Sequence, residues 1–176
     1  VLVIGENIKV RRFHFFAENI SVPYIHAGGK IGVLVNLKVE GGIDATEIGK
    51  DVAMQIAALN PRFWDKSQVS QETLDEEKKI LLAQMDADPK MANKPAQVKE
   101  KIVVGKLNKF YAENCLLQQE FVKDGDLTVE KYLAKCAKEL GGSIVLKDAV
   151  RFEKGEGIEK KQENFAEEIA KMAAGK

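Results

Sequence analysis

Two cysteines and two histidines are all that 176 residues offer of the side chains that most often announce a metal site, a redox pair or a disulfide scaffold. Cys115 and Cys136 stand 21 positions apart on segments that read as helical. That is too few and too far for a disulfide framework or a zinc ribbon, so buried, inert thiols are expected. His14 and His26 would each need partners that the sequence does not advertise before either could serve a metal or a triad. HExxH, CxxC and G-x-S-x-G are missing, which removes the common zinc, redox and hydrolase chemistries. Neither sign of charge is in excess, with 27 basic against 27 acidic residues, so a polyanionic partner is not indicated. Long hydrophobic runs are also wanting. The longest largely apolar stretch, Ile31 to Leu37, falls far short of the roughly 20 residues of a membrane helix, and no charged-then-apolar leader is recognisable. A cytosolic protein is expected, and because the chain opens at Val1 rather than on a methionine, a fragment of something longer.

What is present is alternation of period. Residues 8–16, IKVRRFHFF, are β-branched and aromatic and read as a strand carrying a structural His14. After a turn at Asn19 to Pro23, Tyr24–Ala27 and Ile31–Glu40 read as a hairpin across Gly28-Gly29-Lys30, giving three antiparallel strands. From Asp44 to Asn60 the period becomes helical, with Ile48, Val52 and Ile56 four apart and Pro61 as the stop. This predicts an amphipathic helix over the sheet.

A polar helix follows from Ser70 to about Ala87 with a narrow stripe of Leu74, Leu81 and Met85. Beyond the break at Asp86–Pro95 a second helix carries Val103, Leu107, Phe110 and Leu117. Narrow stripes suit a helix pair, so a protruding antiparallel hairpin is predicted. Leu116–Val122 reads as extended, Thr128–Leu140 as a helix ended by Gly141-Gly142, Ser143–Glu153 as a strand, and Gly157–Gly175 as a terminal docking helix. The strings GENIKVRRF and GGSIVLKDAVRF loosely echo each other, a weak sign of duplication.

Glycine-rich segments invite nucleotide readings that do not survive inspection. Gly28-Gly29-Lys30 has no glycine five positions before Gly29, and Ile31 stands where Ser or Thr should hold magnesium. Gly155-Glu156-Gly157 lacks a third glycine and places a carboxylate where a pyrophosphate would sit, so a plain turn is the better account. The carboxylate pairs Asp75–Glu76 and Glu167–Glu168 fall on polar helix faces and read as solvated.

Four strings are distinctive: GENIKVRR at Gly5–Arg12, YIHAGGKIGVLV at Tyr24–Val35, EKIVVGKLNKF at Glu100–Phe110 and RFEKGEGIEK at Arg151–Lys160. In order and separation they resemble the bacterial elongation factor Ts family from about Ile4 to the last helix. The resemblance implies an α+β protein of two small antiparallel-sheet-plus-helix subdomains, the first incomplete, with an inserted antiparallel coiled-coil hairpin and a C-terminal helical module. On this chain the divisions would be 1–19 for the remainder of the N-terminal core subdomain, 20–62 and 116–153 for the C-terminal core subdomain, 63–115 for the hairpin, and 154–176 for the C-terminal module.

The resemblance further implies a guanine-nucleotide exchange factor without catalytic residues or cofactor, whose partner is the GTPase elongation factor Tu. By residue matching, Ile4, Gly5, Glu6 and Asn7 would face the GTPase near its magnesium and phosphate region. His26, with Ala27, Gly28 and Gly29, would contact its GTPase domain. Val122 and Lys123 would pack against another of its domains, and Phe165 would lie in the docking C-terminal module. The family's Asp-Phe pair does not occur here, so an N-terminal truncation is expected, and residues Ala87–Pro95 replace a shorter Gly-Lys-Pro turn. Two other readings are a ribosome- or RNA-binding hairpin using Lys99, Lys101, Lys106 and Lys109, and an enzyme using His26 as a general base.

Overall fold

The computed structural model describes Val3, Gly5 and residues 8–158. In chain order the elements are β1 (Ile20–His26), β2 (Ile31–Glu40), α1 (Thr46–Leu59), α2 (Gln71–Ala87), α3 (Ala96–Asn114), β3 (Glu120–Phe121), β4 (Asp124–Thr128), α4 (Val129–Leu140) and β5 (Ser143–Glu153). Short 3-10 turns occupy Ala27–Gly29, Lys66–Gln68 and Leu116–Gln118. The architecture is α+β, with a three-stranded antiparallel sheet in the order β1-β2-β5 and a two-stranded β3-β4 hairpin.

The centre of the fold is β2. Its alternate residues Val33, Val35 and Leu37 are buried beneath Ile48, Val52, Ala53 and Ile56 of α1, and Val129, Leu133 and Ala137 of α4 complete the same core. The predicted helix over the sheet is therefore present, and it ends as its sequence dictates. Asn60 adopts the left-handed conformation, donates its N–H to the Ile56 carbonyl and precedes Pro61. Asn36 is buried on the other face of β2 without an energetic penalty, because its side chain receives Asn19 Nδ2 and donates to the Glu18 carbonyl at 2.7 Å.

Between α1 and β3 the chain departs into α2 and α3, which pack on each other through Leu81, Met85, Val103 and Leu107, with Leu74 at the margin. Ser70 caps α2 by accepting the Thr73 N–H, and Lys99 pairs with Asp86 near the connection. At the base, Val69, Phe110 and Cys115 form a further small cluster. Cys115 is fully buried, which pushes its thiol up to about 11, with the Asp65 carboxylate adding to the effect. Cys136 is half-buried, and both thiols are free.

Several expectations need correction. Residues 8–16 form no strand. The place beside β2 belongs to β5, whose pairing extends from Ile31↔Glu153 to Glu40↔Ser143, and Phe13 and Phe15 are left 83% and 75% exposed. His14 is accordingly an exposed side chain packed edge-on to Phe16, not a strand residue. The turn predicted over Asn19–Pro23 is confined to Asn19, at φ 68°, and Pro23 is tolerated in β1 because that strand is at the sheet edge.

Leu117 does not extend the α3 stripe. Its N–H and that of Leu116 are claimed by the Trp64 and Phe63 carbonyls, which turns the chain and shortens the extended stretch to Glu120–Phe121. The helix predicted over Gly157–Gly175 lies almost entirely outside the described residues. Among the described residues, no helix is long and apolar enough to cross a membrane.

At one end of the β2–β5 ladder, Gly41 and Gly142 meet back to back. A Cβ on Gly142 would lie 2.3 Å from the Glu40 carbonyl oxygen and 2.8 Å from Ile43 Cδ1. We expect Gly142→Ala to destabilise the fold by about 1–3 kcal/mol, read as a lowered urea midpoint with unchanged slope. An unchanged midpoint would contradict this packing.

Candidate partner-binding surface

The β1–β2 connection turns on three successive residues with positive φ: Ala27 at 50°, Gly28 at 64° and Gly29 at 90°. A Cβ on either glycine would meet nothing within 4 Å, so the glycines answer a conformational requirement, not crowding. The result is a small, exposed turn whose backbone a partner can approach closely. It is steadied from the side by Lys154, whose N–H donates to the Lys30 carbonyl at 2.8 Å.

His26 stands at the foot of this turn as the last residue of β1. It is half-buried, and its Nδ1 lies 3.0 Å from the Tyr24 hydroxyl. The strand register sets His26 opposite Ile31 and Ile31 opposite Glu153, while Tyr24 lies opposite Val33 and Val33 opposite Arg151. His26, Glu153, Tyr24 and Arg151 therefore share one side of the sheet end. Arg151 donates Nη2–H to Glu153 at 2.8 Å, and its Nε is the one buried polar side-chain atom among the described residues that lacks a partner.

On the reverse side of the sheet end, His14, Ile25, Gly32, Leu34, Val150 and Phe152 line a shallow pocket of about 160 Å³. The segment from residue 8 is tethered here. Arg12 lies over the Phe152 ring and pairs with Glu156 at 3.0 Å, and Arg11 donates to the Glu156 carbonyl. The Arg12 hydrogen bond is the main reason that the Glu156 carboxyl is held below its ordinary range. Residues 154–157 thus form the plain turn anticipated for the Gly-Glu-Gly string, with its carboxylate facing a guanidinium. Gly5 is exposed with φ 76°, whereas Ile4, Glu6, Asn7 and Phe165 lie outside the described residues.

The other candidate pair, Val122 and Lys123, forms the tip between β3 and β4. Val122 is 47% exposed and borders a groove of about 610 Å³ with Leu59, Ala112 and Phe121. Its backbone is fixed from within, because the Val122 N–H donates to Oε1 of the buried Gln55 at 2.9 Å. Gln55 in turn donates to the Glu120 carbonyl and to Gln119, whose own amide reaches the Glu113 carbonyl. Lys123 is turned inward by its pairing with Asp51, and Asp51 also accepts the Tyr132 hydroxyl at 2.6 Å. Desolvation first, and then that carboxylate, raise the Tyr132 phenol above its ordinary range.

The structure therefore gathers His26, Ala27, Gly28 and Gly29 into one turn and places Val122 and Lys123 on another. The first turn is braced by β5, the second by α1 and α4. Tyr24, Asp51, Gln55 and Tyr132 escaped sequence reasoning as supports. A signal existed for Gln55, a polar residue next to Ile56 on an otherwise apolar helix face. No group of three or more potential metal ligands occurs among the described residues.

The class of protein that the fold defines is an α+β one, with small antiparallel sheets and two braced surface turns. The family model described as Elongation factor TS matches residues 1–156, and the chain belongs to that family. It is 49% identical over 176 residues to elongation factor Ts of Clostridium kluyveri (strain ATCC 8527), covering 98% of this chain and 56% of that protein. It is 48% identical over 172 residues to elongation factor Ts of Clostridium perfringens (strain SM101), covering 96% of this chain and 55% of that protein. Elongation factor Ts of Clostridium botulinum (strain ATCC 19397) is 47% identical over the same number of residues, 172. The chain thus spans a little over half the length of these relatives.

The inward pairing of Lys123 generates a test. In urea denaturation, Lys123→Met should cost under about 1 kcal/mol, because the lysine is half exposed. Combined with Asp51→Asn, the two losses should fall short of additive by about 0.5 kcal/mol or more. Strict additivity would show that the pair does not act as a unit.

Proposed function

We propose that this chain is the partner-binding portion of a guanine-nucleotide exchange factor that promotes GDP release from elongation factor Tu during translation elongation. The observation that carries the proposal is the exposed, positive-φ Ala27-Gly28-Gly29 turn with His26 at its foot, in a chain belonging to the elongation factor Ts family. Such a factor needs no catalytic residue and no cofactor. If it binds the GTPase better without nucleotide than with it, reciprocity requires that nucleotide bind worse in its presence.

In this scheme the 26–29 turn and the Ile4–Asn7 segment disturb the elements that support the GTPase's magnesium and phosphate site. Val122, Lys123 and Phe165 belong to anchoring surfaces, Lys123 through the pose of its turn. The proposed division assigns 1–19 to the remainder of an N-terminal core subdomain, 20–62 with 116–153 to a C-terminal core subdomain, 63–115 to an inserted coiled-coil hairpin and 154–176 to a C-terminal module. The protein would act in the cytoplasm, on a protein partner, without a membrane. Against an RNA-binding hairpin stands the engagement of two of its four candidate lysines, Lys99 with Asp86 and Lys109 with Glu113.

The test is release of a fluorescent GDP analogue from elongation factor Tu in rapid mixing, with the chain titrated in and, in parallel, displacement of a full-length factor. Concentration-dependent acceleration or displacement is expected, and the absence of both would overturn the proposal. His26→Ala should weaken the measured effect about 2- to 10-fold, the worth of one hydrogen bond of about 0.5–1.5 kcal/mol, with little change in melting temperature. An unchanged effect would remove His26 from the interface.

A further inference from the structure

The Tyr24–His26 contact decides which ring nitrogen His26 can offer. A neutral imidazole has one N–H donor and one lone-pair acceptor, and the hydrogen bond at one nitrogen fixes the role of the other. Here Nδ1 lies 3.0 Å from the Tyr24 hydroxyl, while no hydrogen bond occupies Nε2 among the described residues. Two arrangements fit that distance. Either the phenol donates to Nδ1 and the proton sits on Nε2, or Nδ1–H donates to the phenol oxygen and Nε2 carries a lone pair. The phenol is the more acidic donor and the imidazole nitrogen the more basic acceptor, so O–H···N is the stronger pairing. The tyrosine ring is half-buried against the main core beside Val33, which holds its hydroxyl in place on the sheet face that His26 shares.

We infer that Tyr24 is a positioning residue that fixes His26 as the Nε2–H tautomer, so that the imidazole offers an N–H donor, and not a lone pair, at Nε2 beside the Ala27–Gly29 turn. Such a donor fits an acceptor oxygen, a peptide carbonyl or a carboxylate, and rejects a partner surface that offers an N–H at the same place. The small turn residues let the partner's main chain come close enough to supply that oxygen. This inference rests on the function proposed above for the partner's identity, but its chemistry resides in this chain alone.

Two measurements test it. Long-range proton–nitrogen correlation on the histidine-labelled chain, at about pH 8.5 where an ordinary imidazole is neutral, reads each ring tautomer directly, with exposed His14 as an internal reference. His26 should show a protonated Nε2 and an unprotonated Nδ1 more completely than His14 does, and Tyr24→Phe should move it towards the His14 pattern. A protonated Nδ1 at His26 overturns the inference whatever the chain does to a partner.

In the displacement assay, His26→Gln, whose amide nitrogen reaches the Nε2 position, should retain affinity within about 3-fold. His26→Asn, which reaches only the Nδ1 position, should lose as much as His26→Ala, about 2- to 10-fold. Equal losses for Gln and Asn would contradict an Nε2–H donor. Failure of the unaltered chain to engage elongation factor Tu would instead remove the function proposed above and leave the tautomer to be decided by the spectrum.

Discussion

The seating of α1 on the three-stranded sheet is the constraint on which both candidate surfaces depend. Ile48, Val52 and Ile56 lock the helix to Val33, Val35 and Leu37 of β2. Gly49 lets it come so close to β1 that a Cβ there would lie 2.5 Å from Val22 Cγ2. Once α1 is fixed, its polar residues acquire fixed positions too. Gln55 and Asp51, one turn apart, then reach out of the core to hold the backbone of Val122 and the ammonium of Lys123. The same helix packs against the β1–β2 hairpin, so the 27–29 turn connects a supported strand pair.

Support of this kind matters because binding between proteins costs conformational freedom. A turn already held in its bound shape pays less of that cost than a mobile loop would. The two turns are braced differently, one by backbone pairing with the end of β5 and the other by side chains buried in the core. A partner that touches both would therefore read a relation between sheet and helix, and damage to the core would reach both surfaces at once.

How much was legible in the sequence varied with the range of the forces involved. α1 and α4 were clear because periodicity and the stops at Asn60-Pro61 and Gly141-Gly142 are local signals that agree with one another. The helix pair was readable from its narrow stripes, and the β1–β2 hairpin from its two glycines. Residues 8–16 misled because β-branched and aromatic composition describes a surface that could pair, not one that does. Pairing is settled by tertiary packing, and the place beside β2 goes to β5, more than a hundred residues later. The glycines of the 27–29 turn were legible in the Tyr24–Val35 string, and a contact role for that turn is what the resemblance implies. The supports of the Val122–Lys123 turn were not legible, since the Gln55–Gln119 and Asp51–Tyr132 contacts join residues 64 and 81 positions apart.

The central claim is that the two braced turns are the surfaces a GTPase partner covers. Amide hydrogen exchange of this chain, alone and with nucleotide-free elongation factor Tu, tests it most directly. The account predicts added protection at residues 24–32 and 120–124, with the middle of α2 and α3 little changed. Protection confined to α2 and α3, or absent from both turns while the complex demonstrably forms, would contradict it.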